Sequence, residues 1–240
     1  LMSRDQALRE IHFPHSQQSR LRAETRLKFE ELFLYQFKIL YRKNQNKTLI
    51  HGAVFKKIGT HFNRFFHEKL PFELTNAQKR VIREIRQDLK SGKQMNRLLQ
   101  GDVGSGKTIV ALMCVLIAVD NGYQACLLAP TEILAQQHYN SIEQYVKGIG
   151  VQIAFLSGSV KGKKRKALFH HLSEGHIDLL IGTHAILEDP VIFNNLGLAI
   201  TDEQHRFGVK QRAKLWQKNP KQPPHILVMT ATPIPRTLAM

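Results

Sequence analysis

The chain has 240 residues, 42% of them apolar, which is enough for one substantial core and a smaller helical appendage. Its 35 Lys and Arg against 19 Asp and Glu leave a formal charge of +16, a field that draws polyanions, nucleic acid before acidic membrane surfaces. The two cysteines, Cys114 and Cys126, lie inside apolar runs as reduced core residues do, which excludes a disulfide-stapled secreted scaffold and fits a cytosolic protein.

Residues 1–70 read as an α-helical connector. The stretch RLKFEELFLYQFKILYRK over 26–43 places Leu27, Phe33 or Leu34, Phe37, and Leu40 or Tyr41 at helical spacing, with basic residues on the other face and Asn44 and Asn46 at the stop. A weaker helical stretch, FKKIGTHFNRFFHEKL, runs into Pro71. Aromatic residues among basic ones suit either packing against a neighbouring domain or stacking on bases, and packing is the commoner use. The chain opens on LMSRDQ and ends on RTLAM, and both ends read as cut from a longer polypeptide.

From residue 71 the pattern changes to short apolar strands alternating with helices. Thr75 is placed to cap a helix that ends at SGK, and RLLQ, QACLLA, VQIAFL, IDLLIG, LGLAI and HILVMT follow as strands with helices between several of them. Five or six such strands predict an α/β fold over 71–240, a parallel sheet covered by helices, with ligands gathering at the carboxyl ends of the strands. The longest apolar run, 109–119, is shorter than the roughly 18 residues of a membrane span, and no membrane partner is expected.

Within that domain GDVGSGKT is Gly, four residues, then Gly-Lys-Thr, set between a strand and a helix. Gly101, Asp102, Val103, Gly104, Ser105 and Gly106 would curl so that their N–H groups face phosphate oxygens, and the following helix adds its positive end. Lys107 would reach the terminal phosphates and Thr108 would offer its hydroxyl to Mg²⁺. Asp202 ends an apolar strand, as the second acidic element of such a site should, and is the other candidate Mg²⁺ residue. Glu203 beside it is the candidate that orients and deprotonates the attacking water. Gln204, His205 and Arg206 follow, between the γ-phosphate and whatever must respond to its loss.

The ordered set IHFP, LPFELTNAQ, GDVGSGKT, APTEILAQQH, LSGS, GTHAILED, DEQHRFGVKQR and MTATPIPRTLAM resembles the RecG family of bacterial DNA helicases. The transcription-repair coupling factor is similar, typically with a second Glu in place of Gln204. The resemblance implies an α/β RecA-like P-loop domain over 71–240, its parallel sheet flanked by helices and preceded by an α-helical connector over 1–70, with ATP and Mg²⁺ as cofactors, branched or duplex DNA as partner, and a bacterial cytoplasmic setting. It implies that Phe72 stacks on adenine while Gln78 reads its edge. It also implies that Pro130, Thr131, Glu132, Ser157, Gly158, Ser159, Gly182, Thr183 and His184 line the nucleic-acid side. Thr230 and Thr232, with Gln211 and Arg212, would relay the nucleotide state. RecG-like proteins further carry a wedge domain and a second motor domain, neither of which is found in these 240 residues. The expected fragment therefore binds ATP and DNA but hydrolyses slowly and does not unwind. A coupling-factor translocase and a nucleotide-gated DNA-binding module without catalysis are the competing readings. The basic run KGKKRK at 161–166 suits a solvated helix start or a nonspecific phosphate contact equally.

Overall fold

The computed structural model describes residues 2–49, 51–203, 214–215, 217–219 and 222–231, and the chain forms two compact units, Leu1–Leu49 and Ile50–Met240. The division thus falls about twenty residues before the expected boundary near 70. The reason is burial: Ala53, Phe55, Phe62 and Phe65 are part of the same core as the sheet of the larger unit.

The smaller unit is a helical hairpin, α1 (Arg4–His12) and α2 (Gln17–Leu49). Ser3 caps α1 by accepting the Gln6 N–H at 3.3 Å, and Ser16 and Ser19 exchange backbone N–H bonds at 3.1 Å to start α2. Ala7 and Ala23 are fully buried, and small residues are what a close helix pair requires. Glu10 ties the intervening turn by accepting from the His15 backbone at 3.1 Å and sitting 2.5 Å from its ring. The helix is longer than the predicted 26–43, because Asn44 and Asn46 do not end it. Its aromatic stripe is an i, i+4 ladder of Phe29, Phe33, Phe37 and Tyr41, with centroids 5.9, 6.3 and 6.2 Å apart.

In the larger unit the chain first runs extended, then forms α3 (Thr60–Arg64) and a π-helical turn, Phe65–Lys69. Helix α4 (Asn76–Lys90) opens on a full capping box: Thr75 accepts the Gln78 N–H while the Gln78 side chain accepts the Thr75 N–H. There follow β1 (Asn96–Gln100), α5 (Lys107–Asp120), β2 (Gln124–Leu128), α6 (Glu132–Val146), β3 (Ile153–Leu156), α7 (Gly162–Ser173), β4 (Leu179–Gly182), a 3₁₀ turn (His184–Leu187), β5 (Leu196–Asp202) and β6 (His225–Thr230). The strands form one six-stranded sheet in the order β1-β6-β5-β2-β4-β3, with every pairing parallel, as the sequence pattern leads one to expect.

Side chains alternate between two cores on the two faces of the sheet. Leu127, Ile181, Leu198, Ile200, Leu227 and Met229 pack with α5 and the 51–74 segment. Cys126, Leu128, Leu180, Ala199, Ile226 and Val228 pack with Leu172 of α7 and the 3₁₀ turn. Helix α5 is buried on every side over 109–118, which explains why that stretch between Thr108 and Asp120 is apolar all round. Among the described residues no helix is long and apolar enough to cross a membrane. Cys114 and Cys126 are free and fully buried, and burial pushes both thiols up to about 12, so neither is a thiolate near neutral pH.

Candidate functional site at the carboxyl rim

Because the sheet is parallel, all strands deliver their carboxyl ends to one rim. Gln100 of β1 is in register with Thr230 of β6, and Asp202 of β5 with Met229 of the same strand. The loop after β1 and the acids after β5 therefore flank the end of β6, two strand spacings or about 10 Å apart.

The glycine loop, residues 101–106, leads into α5, whose first helical residue is Lys107. Gly106 caps that helix with φ at +80°, and a Cβ there would lie 2.5 Å from Gln78 Nε2. Only glycine meets both conditions. Unlike α4 and α6, which Thr75 and Thr131 cap with side-chain oxygens, α5 has no side-chain cap and no acid in its first turn. Its first N–H groups and the positive end of its dipole face the loop, a natural seat for an anion. The Lys107 ammonium is folded into the loop, donating to the carbonyls of Gly101 (2.6 Å) and Asp102 (2.7 Å). Val103 at the tip is 90% exposed.

Gln78 buttresses the loop from α4: its Oε1 accepts from the Thr75 N–H, and its Nε2 donates to the Ser105 carbonyl at 2.9 Å. Phe72 is exposed, with its ring edge 3.6 Å from where a Gly106 Cβ would stand. Both residues implied for base recognition thus stand beside the phosphate loop.

At the end of β5, Asp202 points to the α5–α6 face, two residues on from Ile200. Its Oδ2 lies 2.8 Å from Nε2 of His138 on α6. Glu203 has a φ of +51°, a left-handed conformation uncommon for a non-glycine residue. That conformation is held by its N–H bonding to the Met229 carbonyl at 2.9 Å. Its carboxylate accepts from the Thr230 hydroxyl at 3.3 Å and from the Ala231 N–H at 3.2 Å. The strained acid and the end of β6 are thereby one hydrogen-bonded unit, Glu203 with Thr230 and Ala231.

Further along the rim, Glu132 accepts from the hydroxyls of Ser157 (2.8 Å) and Ser159 (2.5 Å). Those two bonds, that of Ser159 foremost, hold its carboxyl below the ordinary carboxylate range. Gly182 allows the close approach of β3, since a Cβ there would stand 1.9 Å from the Leu156 carbonyl oxygen. Thr183 is buried and His184 exposed beside it, while Pro130, Thr131 and Gly158 lie on the intervening loops. Gln204, His205, Arg206, Gln211, Arg212 and Thr232 lie outside the described residues. The basic run at 161–166 starts α7: Arg165 bonds Glu188 at 2.5 Å and covers the Phe169 ring, and its lysines are exposed. Among the candidate-site residues, sequence reading had given no role to His138; the alternation of β5, which turns Asp202 toward α6, is the signal that points to it.

A parallel sheet with a glycine-rich anion loop and a strand-end acid pair along one rim defines the class of P-loop nucleotide-binding folds. The chain belongs to the DEAD/DEAH box helicase family, which it matches over residues 75–240.

Within that family it is similar to the ATP-dependent DNA helicase RecG. It is 47% identical to the protein from Synechocystis sp. over 234 residues, 98% of this chain and 28% of that one. It is 48% identical to the Bacillus subtilis protein over 235 residues, 98% of this chain and 34% of that one. A solved structure of RecG bound to a three-way DNA junction superposes with a TM-score of 0.81 at 42% identity, covering 97% of this chain and 31% of that one. A yeast DEAD-box splicing factor, 19% identical with a TM-score of 0.58, shares the fold. The chain spans about a third of the length of the curated relatives it matches.

Proposed function

We propose that the chain is the ATP-binding motor domain of a RecG-type helicase, together with helices that join it to further domains, and that the whole protein uses ATP hydrolysis to move on and remodel branched DNA. The observation that supports this most directly is the shared rim. Lys107 and Asp202 flank the same strand end, with an open helix N-terminus between the loop and the solvent.

The residues present suit a magnesium nucleotide. Thr108 and Asp202 are hard oxygen donors, and a metal held by two protein oxygens takes its remaining ligands from water and phosphate. Bound there, Mg²⁺ would neutralise charge developing on the β- and γ-phosphates. Phosphate would replace the Gly101 and Asp102 carbonyls as the partners of Lys107. The second hydrogen on Gln78 Nε2 would meet the base edge while Phe72 covers the ring. Glu203 would leave Thr230 and Ala231 to accept a proton from the attacking water, so that the freed end of β6 feels the state of the nucleotide.

An arginine supplied by a partner domain is worth about 10³–10⁵ in turnover in such motors, and the chain alone should therefore bind Mg-ATP but turn it over slowly. The test compares phosphate release with fork DNA, linear duplex and RNA, for this chain and for a polypeptide of its relatives' full length. Stimulation of the long protein by fork DNA is expected. A preference for RNA overturns the DNA reading, and rapid DNA-stimulated turnover by the chain alone overturns the need for a second domain.

A further inference from the structure

We infer that His138 is a positioning residue for the metal-binding aspartate: its imidazole fixes one oxygen of Asp202 so that the other faces the nucleotide. This rests on the proposed Mg-ATP site. The pair is largely buried, each side chain 13% exposed, with 2.8 Å between Nε2 and Oδ2. A carboxylate only accepts, so the imidazole carries its proton on Nε2 and donates it. An aspartate at a strand end has two free torsions, and at this exposure few waters can hold it in place. Without the histidine donor the carboxylate would be free to swing toward the Lys107 ammonium or the solvent.

The histidine is presented from a rigid mount. Ala135, Ile142 and Val146 bury one side of α6, and Thr131 caps its start by accepting the Leu134 N–H. Glu132 pins the same end through Ser157 and Ser159. From Glu132 to His138 is about 9 Å along the helix axis, so the helix that meets the polar loops of the rim also sets the angle of the aspartate. Partners of this second kind typically change metal affinity 10–100-fold when removed, although they never touch the metal.

The experiment measures binding of a fluorescent ATP analogue to the 240-residue chain, once with Mg²⁺ and once with EDTA. His138→Ala, His138→Gln and Asp202→Ala are compared with the native chain, each first checked for a native thermal transition. Asp202→Ala should abolish the gain in affinity that Mg²⁺ gives; if that gain survives, the metal-site reading itself fails. His138→Ala should reduce the gain by about 10-fold or more, leaving binding in EDTA unchanged. His138→Gln, which keeps an N–H donor, should restore most of it. A His138→Ala chain with the full magnesium gain, alongside an Asp202→Ala chain that has lost it, overturns the inference. An equal loss with and without Mg²⁺ does so too, because it marks a packing role only. Should His138→Ala not fold, the glutamine variant decides: a lowered magnesium gain that a leucine at the same position lowers no further overturns it.

Discussion

The two rims of the sheet both carry polar groups tied by hydrogen bonds to the protein, and they treat them in opposite ways. At the amino rim three buried polar side chains, Asp120, Gln124 and His225, each have two or more protein partners. Asp120, its side chain 2% exposed, accepts from the N–H groups of Gly59, His61 and Phe62 and lies 2.8 Å from the His61 ring. The Gln124 amide donates to the Leu172 and Ile177 carbonyls and accepts from the Asn195 N–H. His225 accepts the Met95 N–H at 2.9 Å and donates to the Ala53 carbonyl at 2.6 Å. At the carboxyl rim the partners are provisional. Lys107 rests on carbonyls of its own loop, and Glu203 is held in a left-handed turn by the end of β6. The same sheet therefore has one end built to stay and one that, on the proposed function, exchanges partners with the nucleotide.

The largest expected break in that contrast is at the carboxyl rim. Glu203→Gln keeps the size and one acceptor but cannot take a proton, and general-base losses run to about 10²–10⁴-fold in turnover. Phosphate release by the full-length protein should fall by that much with nucleotide affinity retained. A loss of affinity equal to the loss of rate would put Glu203 in binding rather than in chemistry. Next is Asp120→Ala at the other rim, which strands three backbone donors and a ring in a buried place. Leaving such donors without their acceptor costs about 1–3 kcal/mol, and more when the lost acceptor is charged. Urea denaturation should show that loss, while the folded fraction binds Mg-ATP normally. Third is Lys107→Ala. A charge-assisted bond to phosphate is worth about 1.5–3 kcal/mol, so nucleotide affinity should drop by roughly one to two orders of magnitude. The urea midpoint should hardly move, because the lysine satisfies only exposed or half-exposed loop carbonyls.

This asymmetry also explains what was readable in the sequence. Strands, helices and the phosphate loop depend on local signals: the short continuous apolar runs of β2 and β5, buried on both faces, the Thr75–Gln78 box, glycine before lysine at the start of α5. The acid pair was legible because it ends an apolar run. The boundary near 70 was misplaced because what fixes 51–70 to the motor is non-local. Asp120 grips Gly59 from across 61 residues, and His225 reaches Ala53 across 172. An aspartate at a helix end and a histidine at a strand start look like ordinary surface residues until the fold is known. His138 escaped for the same reason: its partner is 64 residues away.

The smallest effect is the pH response of the amino rim, and its sign follows from His225. The ring is fully buried, between the Ala53 carbonyl and the Met95 N–H, and packs edge-on against Phe55 at 5.0 Å. Burial pulls its pKa below the ordinary 6.5, although the bond to Ala53 opposes this in part. The unfolded chain therefore takes up the proton first as pH falls. Stability from this residue is complete above about pH 6.5 and declines as pH drops from there toward the folded value, by at most about 1.4 kcal/mol per pH unit. Protonation would also leave the Met95 N–H facing a second N–H, so the charged form has no acceptor to offer. Urea midpoints taken at intervals from pH 7.5 to 5 should fall more steeply for the native chain than for His225→Asn, which lacks the titrating group. The difference between the two curves isolates this histidine from the other eleven among the chain's 12. Parallel curves would mean that the lock at β6 tolerates a cation. In that event the amino rim would be less permanent than its hydrogen bonds indicate.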